Sequence, residues 1–179
     1  YCGASGSVVC DPTDYESRKD FILVKNIDHS NSAVEEITNN VNKLVLYQAS
    51  HFWPTYTAGR YYLASTDDDS WLDENQNFNY DSGERKGNFF VVDTFTLSEK
   101  TVRVSDKNMF DNSDWDNDDV VAFEEYDNDL LGMNIVDWLV GNQDSEDDII
   151  IQGEVTEPDN LAYDSTLDYM VKIEKIIQK

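Results

Sequence analysis

The sequence predicts a mainly β fold, an antiparallel β-sandwich of seven to eight strands with one or two short helices. Three observations lead there. Short runs rich in Val, Ile, Phe, Tyr and Thr recur at close spacing, with turn residues between them. Two of these runs, 88–97 and 101–106, are joined by only "SEK". The chain has 179 residues, 40% apolar and 12% aromatic, enough for one domain with a proper core.

Residues 1–18 are polar and contain Gly and Ser, so they read as a tail or clasp ahead of a single domain over 19–179. "DFILVKNI" (20–27) is a short strand. In "NSAVEEITNNVNKL" (31–44), Val34, Ile37, Val41 and Leu44 fall on one helical face, and Ser32 with Glu35 makes a capping-box pattern. "KLVLYQA" (43–49) either continues that helix or begins a strand. "RYYLAS" (60–65) reads as a strand, and 66–87 as a long acidic, Asn-rich loop. "NFFVVDTFTL" (88–97) and "TVRVSD" (101–106) have the strongest β-branched and aromatic content. "DVVAFEEY" (119–126) is a further strand candidate. "MNIVDWLV" (133–140) fits a short helix ended by Gly141, or a strand. "DIIIQGEVTE" (148–157) and "TLDYMVKIEKII" (166–177) complete the set.

The formal net charge is −24, from 37 acids against 13 bases. Such a charge opposes direct binding to nucleic acid or to anionic membrane, and favours bound cations or a basic partner. No stretch has the ~20 apolar residues of a transmembrane helix. The start at Tyr1 implies a processed or trimmed product. In a secreted protein Cys2 and Cys10 can close one small disulfide loop. Two free thiols, or a lipoprotein start at "CGASGS", are the alternatives.

Clustered Asp and Asn suit a hard cation, because Ca²⁺ takes six to eight oxygens. Two stretches have the spacing of a twelve-residue calcium loop. "DWDNDDVVAFEE" puts Asp114, Asp116, Asp118 and Glu125 at positions 1, 3, 5 and 12. "DENQNFNYDSGE" does the same with Asp73, Asn75, Asn77 and Glu84. Position 6, where the sharp turn wants Gly, holds Asp119 in one and Phe78 in the other. Neither stretch has convincing helices on both sides, which speaks against an EF-hand.

"NFFVVDTFTLSEKTVRVSDKNMFDNSDWDN" (88–117) resembles the middle of a C2 domain. The family's first strand here reads N-x-x-[FW]-x-[DE]-x-F-x-[FL], matched by Asn88, Asp93, Phe95 and Leu97. Its second, L-x-[VI]-x-V, is matched by Val102 and Val104. Its loop, D-x-D-x-[FL]-x-x-x-D-x-[IL]-G, is matched by Asp106, Asn108, Phe110 and Asp114, with Asn117 in place of the last Gly. Asp116 stands where the family has an apolar residue, and the likeness extends only loosely over 42–177. The resemblance implies Ca²⁺ on Asp106, Asn108, Asp114 and Asp116, with Trp115 as a contact residue on the loop. The family's other ion loop would fall at 51–59, "HFWPTYTAG", which has no acid; Asp67, Asp68 and Asp69 lie further along.

His29 and His51 are the only histidines, and no G-x-S-x-G, HExxH, CxxC or P-loop pattern accompanies them. The expected function is therefore a non-enzymatic, calcium-binding module of a secreted or cell-surface protein. It would meet a lipid surface or a protein partner through calcium. The alternatives are a structural or adhesive subunit of an extracellular assembly, with 1–18 as a docking arm, and an acidic inhibitor of a basic partner.

Overall fold

A computed structural model of the chain describes residues 7–54, 58–96 and 100–141. These lie in one compact unit that ends at Asp144. The expected strands at 148–157 and 166–177 lie outside the described residues. Within them the protein is mainly β, with eight strands in antiparallel sheets and two α-helices. The strands are β1 (Val8–Cys10), β2 (Phe21–Val24), β3 (Asn26–Ile27), β4 (Leu44–Tyr47), β5 (Arg60–Ser65), β6 (Trp71–Asp73), β7 (Phe90–Phe95) and β8 (Thr101–Val104). The helices are α1 (Glu35–Thr38) and α2 (Asn128–Val140), with 3₁₀ turns at Asn108–Phe110 and Ala122–Glu124.

The largest sheet has the order β3-β5-β7-β8; β2 pairs β4, and β1 pairs β6. The expected strands at 20–27, 60–65, 88–97 and 101–106 are all present, the first divided into β2 and β3. β7 and β8 form a hairpin in which Asp93 faces Arg103. Asp93 is wholly buried. Its Oδ2 accepts from Arg60 Nε at 2.8 Å and its Oδ1 from Arg103 Nε at 2.8 Å. Removing that carboxylate would take away the buried acceptor that the two guanidiniums share, a loss of about 3–5 kcal/mol.

Four expectations are corrected. Residues 8–18 are not a tail: β1 pairs β6 in register Val8↔Asp73 to Cys10↔Trp71, and Val9 and Cys10 are wholly buried. Burial of these apolar side chains draws the segment into the body. The helix over 31–44 shrinks to the single turn α1, with Val34 as N-cap and no side-chain cap. Asn31 Oδ1 instead accepts from Ala33 N, replacing the Ser32–Glu35 box. Asn40, at φ 59, breaks the helix. Val34, Ile37 and Val41 still reach the core, while Leu44 reaches it from β4. Every residue of β4 is buried because both faces are covered: Leu44 and Leu46 face the main core, Val45 and Tyr47 a smaller cluster with Phe21 and Ala122. The run 119–126 is no strand; Asp119 (φ 73) and Tyr126 (φ 46) turn the chain on either side of a 3₁₀ turn. Finally, β6 lies inside the expected loop 66–87.

The ambiguous 133–140 is helical, and the helix starts earlier, at Asn128. Asn128 is wholly buried; its Nδ2 donates to Val45 O and Ala122 O, and its Oδ1 accepts from Val45 N. These bonds tie the helix start to β4. Gly141, at φ 76, closes the helix with its N–H on Asp137 O. Cys10 carries a free, wholly buried thiol, pushed up to about 12 by burial and then by the charges of Asp73, Asp20 and Glu84. Cys2 lies outside the described residues, so the expected bridge finds no support among them. Among the described residues no helix is long and apolar enough to cross a membrane.

Candidate cation site

The loop after β8 opens with Asp106, which is almost wholly buried. Its Oδ2 accepts from Tyr47 N at 2.5 Å and its Oδ1 from Asn108 N at 2.7 Å. Burial pushes its carboxyl up to about 7, against the pull of those N–H groups. Asn108 Nδ2 donates to Tyr47 O at 3.1 Å. Asp106 and Asn108 are thus engaged with the end of β4. They act as a splice between the loop and that strand.

Asp114 starts a tighter turn. Its Oδ1 accepts from Asn117 N at 2.7 Å and Asp118 N at 3.2 Å, its Oδ2 from Asp119 N at 3.1 Å. A burial cost on this carboxyl is outweighed by the N–H groups of Asp119, Asn117 and Asp118, which hold it below the usual value. The wrapping requires left-handed backbone at Asn117 (φ 65) and Asp119 (φ 73). Asn and Asp tolerate that region better than other non-glycine residues. The missing Gly at position 6 therefore did not prevent the turn.

The result is that Asp114, Asp116 and Asp118 each present a carboxylate oxygen, all within 4.8 Å of one another, a group that could hold a metal ion. Asp116 Oδ1 is buried with no hydrogen-bond partner. Glu125 lies near this group, just beyond the 3₁₀ turn, where it feels the charges of Asp118 and Asp116. It is 6% exposed, and its Oε1 is buried without a partner. Burial, followed by the charges of Asp118, Asp116 and Glu16, pushes its carboxyl up to about 7. Of the residues expected from the sequence, Asp114 and Asp116 are brought together; Asp106 and Asn108 stand outside that group. Asp118 is the addition, with Glu125 nearby but outside the group, and the spacing of a twelve-residue calcium loop had already picked both out. Trp115 is 37% exposed; its Nε1 donates to Asp111 Oδ1 at 3.2 Å, and its ring lies 6.4 Å from that of Tyr47.

A second acidic triad, Asp11, Asp67 and Asp69, meets the same distance condition. Here protein donors meet Asp11 and one oxygen of Asp69, while Asp69 Oδ1 is buried without a partner. Asp11 Oδ1 accepts from Thr13 N and Asp14 N, its Oδ2 from Ser70 Oγ, and Asp69 Oδ2 from Thr13 Oγ1.

The loop 73–84 repeats the backbone design of 114–125. Asp73, wholly buried, accepts from Asn75 N, Gln76 N and Phe78 N, with Gln76 at φ 58 and Phe78 at φ 59. Its other side chains close on each other: Asn75 Nδ2 and Asn77 Nδ2 both donate to Asp81 Oδ2. Glu84 accepts from Glu74 N and Asp81 N.

An all-oxygen, carboxylate-rich donor set of this kind suits a hard cation over a thiolate- or imidazole-seeking one. Comparison with protein-family models, curated proteins and solved structures gave no match for this chain.

Proposed function

We propose that this protein is a non-enzymatic calcium-binding module of the C2-like β-sandwich type, acting at a cell surface or after secretion. The ion would sit on Asp114, Asp116, Asp118 and Glu125. The observation that carries this reading is the buried, unpartnered Oε1 of Glu125 beside the aspartate triad. Burying a carboxylate oxygen without a donor costs several kcal/mol unless something positive meets it. A Ca²⁺ ion would do so, because it seeks several oxygens at once and accepts irregular geometry. Binding would offset the mutual repulsion of the four acids and order the loop that displays Trp115. Contact with a lipid surface or a protein partner would follow through that loop. The hairpin β7–β8 leading straight into Asp106 supports the C2-like part of the reading.

The test is calcium titration of the whole protein by calorimetry, with thermal melting alongside. Calcium at a hundred times Kd should stabilise the fold by about 2.7 kcal/mol. An unchanged melting temperature at millimolar Ca²⁺ would overturn the reading. Sedimentation with phosphatidylserine vesicles, with and without Ca²⁺ and with Trp115→Ala, separates a lipid partner from a protein one.

A further inference from the structure

His51 is sealed in a pocket that offers it no hydrogen bond. It is 1% exposed, and neither Nδ1 nor Nε2 has a partner among the described residues. The backbone on either side is pinned: Ser50 N donates to Ser105 O at 3.1 Å and Phe52 N to Phe90 O at 2.8 Å. Two aromatic rings stand edge-on to the imidazole, buried Phe89 at 5.4 Å between centroids and Trp53 at 4.6 Å. Trp53 is half-exposed, and the exposed Arg85 lies over it, its guanidinium 4.3 Å from the Trp53 centroid and 5.9 Å from that of Phe89. Trp53 and Arg85 thus form the outer cover of the pocket. Other charged groups on the same elements are engaged elsewhere: Glu84 accepts from Glu74 N and Asp81 N, Lys86 lies over Tyr80, Arg103 bonds Asp93, and Asp106 accepts from Tyr47 N. The charge that bears on the ring is that of Arg85, of the same sign as an imidazolium.

A neutral imidazole brings one donor and one acceptor into this pocket. An imidazolium brings two donors and a charge, out of water and beside a guanidinium. Burial first, and then Arg85, therefore hold His51 below its ordinary value. With the flanking backbone pinned, the ring can reach water only past its cover. We propose that His51 and Trp53 form an acid-operated latch, in which proton uptake drives the imidazole out of its pocket and displaces Trp53. The closed pocket accepts the neutral ring alone, whereas the open ring takes either form. A base lowered on closing supports the closed state above its free value of about 6.5, and that support is lost as pH falls. The open population then rises about tenfold for each unit of pH below that value. Opening exposes the ring of Trp53 and the side of Phe89 that His51 covers. The latch uses no residue of the acidic loop 114–125 and stands apart from the cation reading.

The test is ¹⁹F NMR of the whole protein labelled with 5-fluorotryptophan, titrated from pH 8 to pH 5, with the histidine ring protons followed in parallel. The chain has four tryptophans and two histidines, so W53F and H29Q assign the lines that matter. In the wild type the Trp53 line should move toward its position in the unfolded protein as pH falls below about 6.5. The His51 ring should titrate in the same step. H51L fills the pocket with apolar atoms and takes up no proton, so it should hold the Trp53 line fixed over this range. H29Q should leave the step unchanged. A Trp53 line that moves equally in H51L answers to other groups and overturns the latch. A His51 ring that titrates while the Trp53 line stays fixed overturns it too, as does a wild type in which neither changes down to pH 5. If H51L does not fold, the two wild-type titrations decide: a shared midpoint supports the latch, and separate midpoints overturn it.

Discussion

The loops 73–84 and 114–125 share a backbone and differ in chemistry. Each begins with an aspartate whose carboxylate gathers the N–H groups of the residues that follow, and each turns through left-handed residues at its fourth and sixth positions. The third and fifth positions separate them: Asn75 and Asn77 in one, Asp116 and Asp118 in the other. An amide both donates and accepts, so the first loop can satisfy its own acids, as Asp81 shows. An ionised carboxylate only accepts. The second loop therefore leaves Asp116 Oδ1 and Glu125 Oε1 buried and unmet. The same fold of the chain yields a self-closed turn in one place and a receptive one in the other.

The sharpest test of this contrast is Asp73→Ala. Three backbone N–H groups lose their shared acceptor at a buried position, for an expected loss of roughly 3–5 kcal/mol. Chemical denaturation should show that loss with or without calcium. Glu125→Gln should behave the opposite way. Calcium affinity falls on the order of a hundredfold, about 2.7 kcal/mol, while the metal-free melting temperature rises because a crowded negative charge is gone. A Glu125→Gln variant that is destabilised without metal would break the comparison.

The receptive loop also sets a pH dependence. Glu125 is raised from 4.5 to about 7 in the folded protein. A group raised on folding contributes stability that is full below its unfolded value and is lost as pH rises through its folded value. The metal-free protein should therefore lose several degrees of melting temperature between about pH 5 and pH 8. Asp106, also raised to about 7, acts in the same direction. Glu125→Gln should thus flatten the slope without abolishing it.

Smaller effects probe the shared backbone. Glycine at Gln76 or at Asn117 relieves left-handed strain and should add at most about 0.5–1 kcal/mol. Gln76→Gly should gain more, because asparagine already tolerates that conformation. At the small end, the buried Cys10 should resist iodoacetamide at pH 8 until the protein unfolds, followed by mass spectrometry.

The site was partly legible in the sequence. The positions 114, 116, 118 and 125 stood at calcium-loop spacing, and the empty Gly position argued against using them. That objection rested on a residue preference of about one kcal/mol, which three hydrogen bonds to Asp114 overcome. The family-like register pointed to Asp106, Asn108, Asp114 and Asp116; of these, Asp106 and Asn108 bond the end of β4. A one-dimensional pattern cannot tell an aspartate that bonds a strand from one whose oxygens are left unmet. Helix 31–44 failed for a related reason: Leu44 keeps helical spacing with Val34, Ile37 and Val41, yet it enters the same core from β4.

By itself, the sequence determined what depends on neighbours along the chain. Alternating and β-branched runs determined β5, β7 and β8. The tertiary structure decided what depends on distant partners. It drew residues 8–10 into a sheet with β6, turned 119–126 away from a strand, and set Glu16 against the hydroxyl of Tyr126, 110 positions later in the chain. Local propensity is set by each residue's own backbone and side chain. Whether a carboxylate is met by an amide, a guanidinium or nothing is set by which surfaces the core brings together.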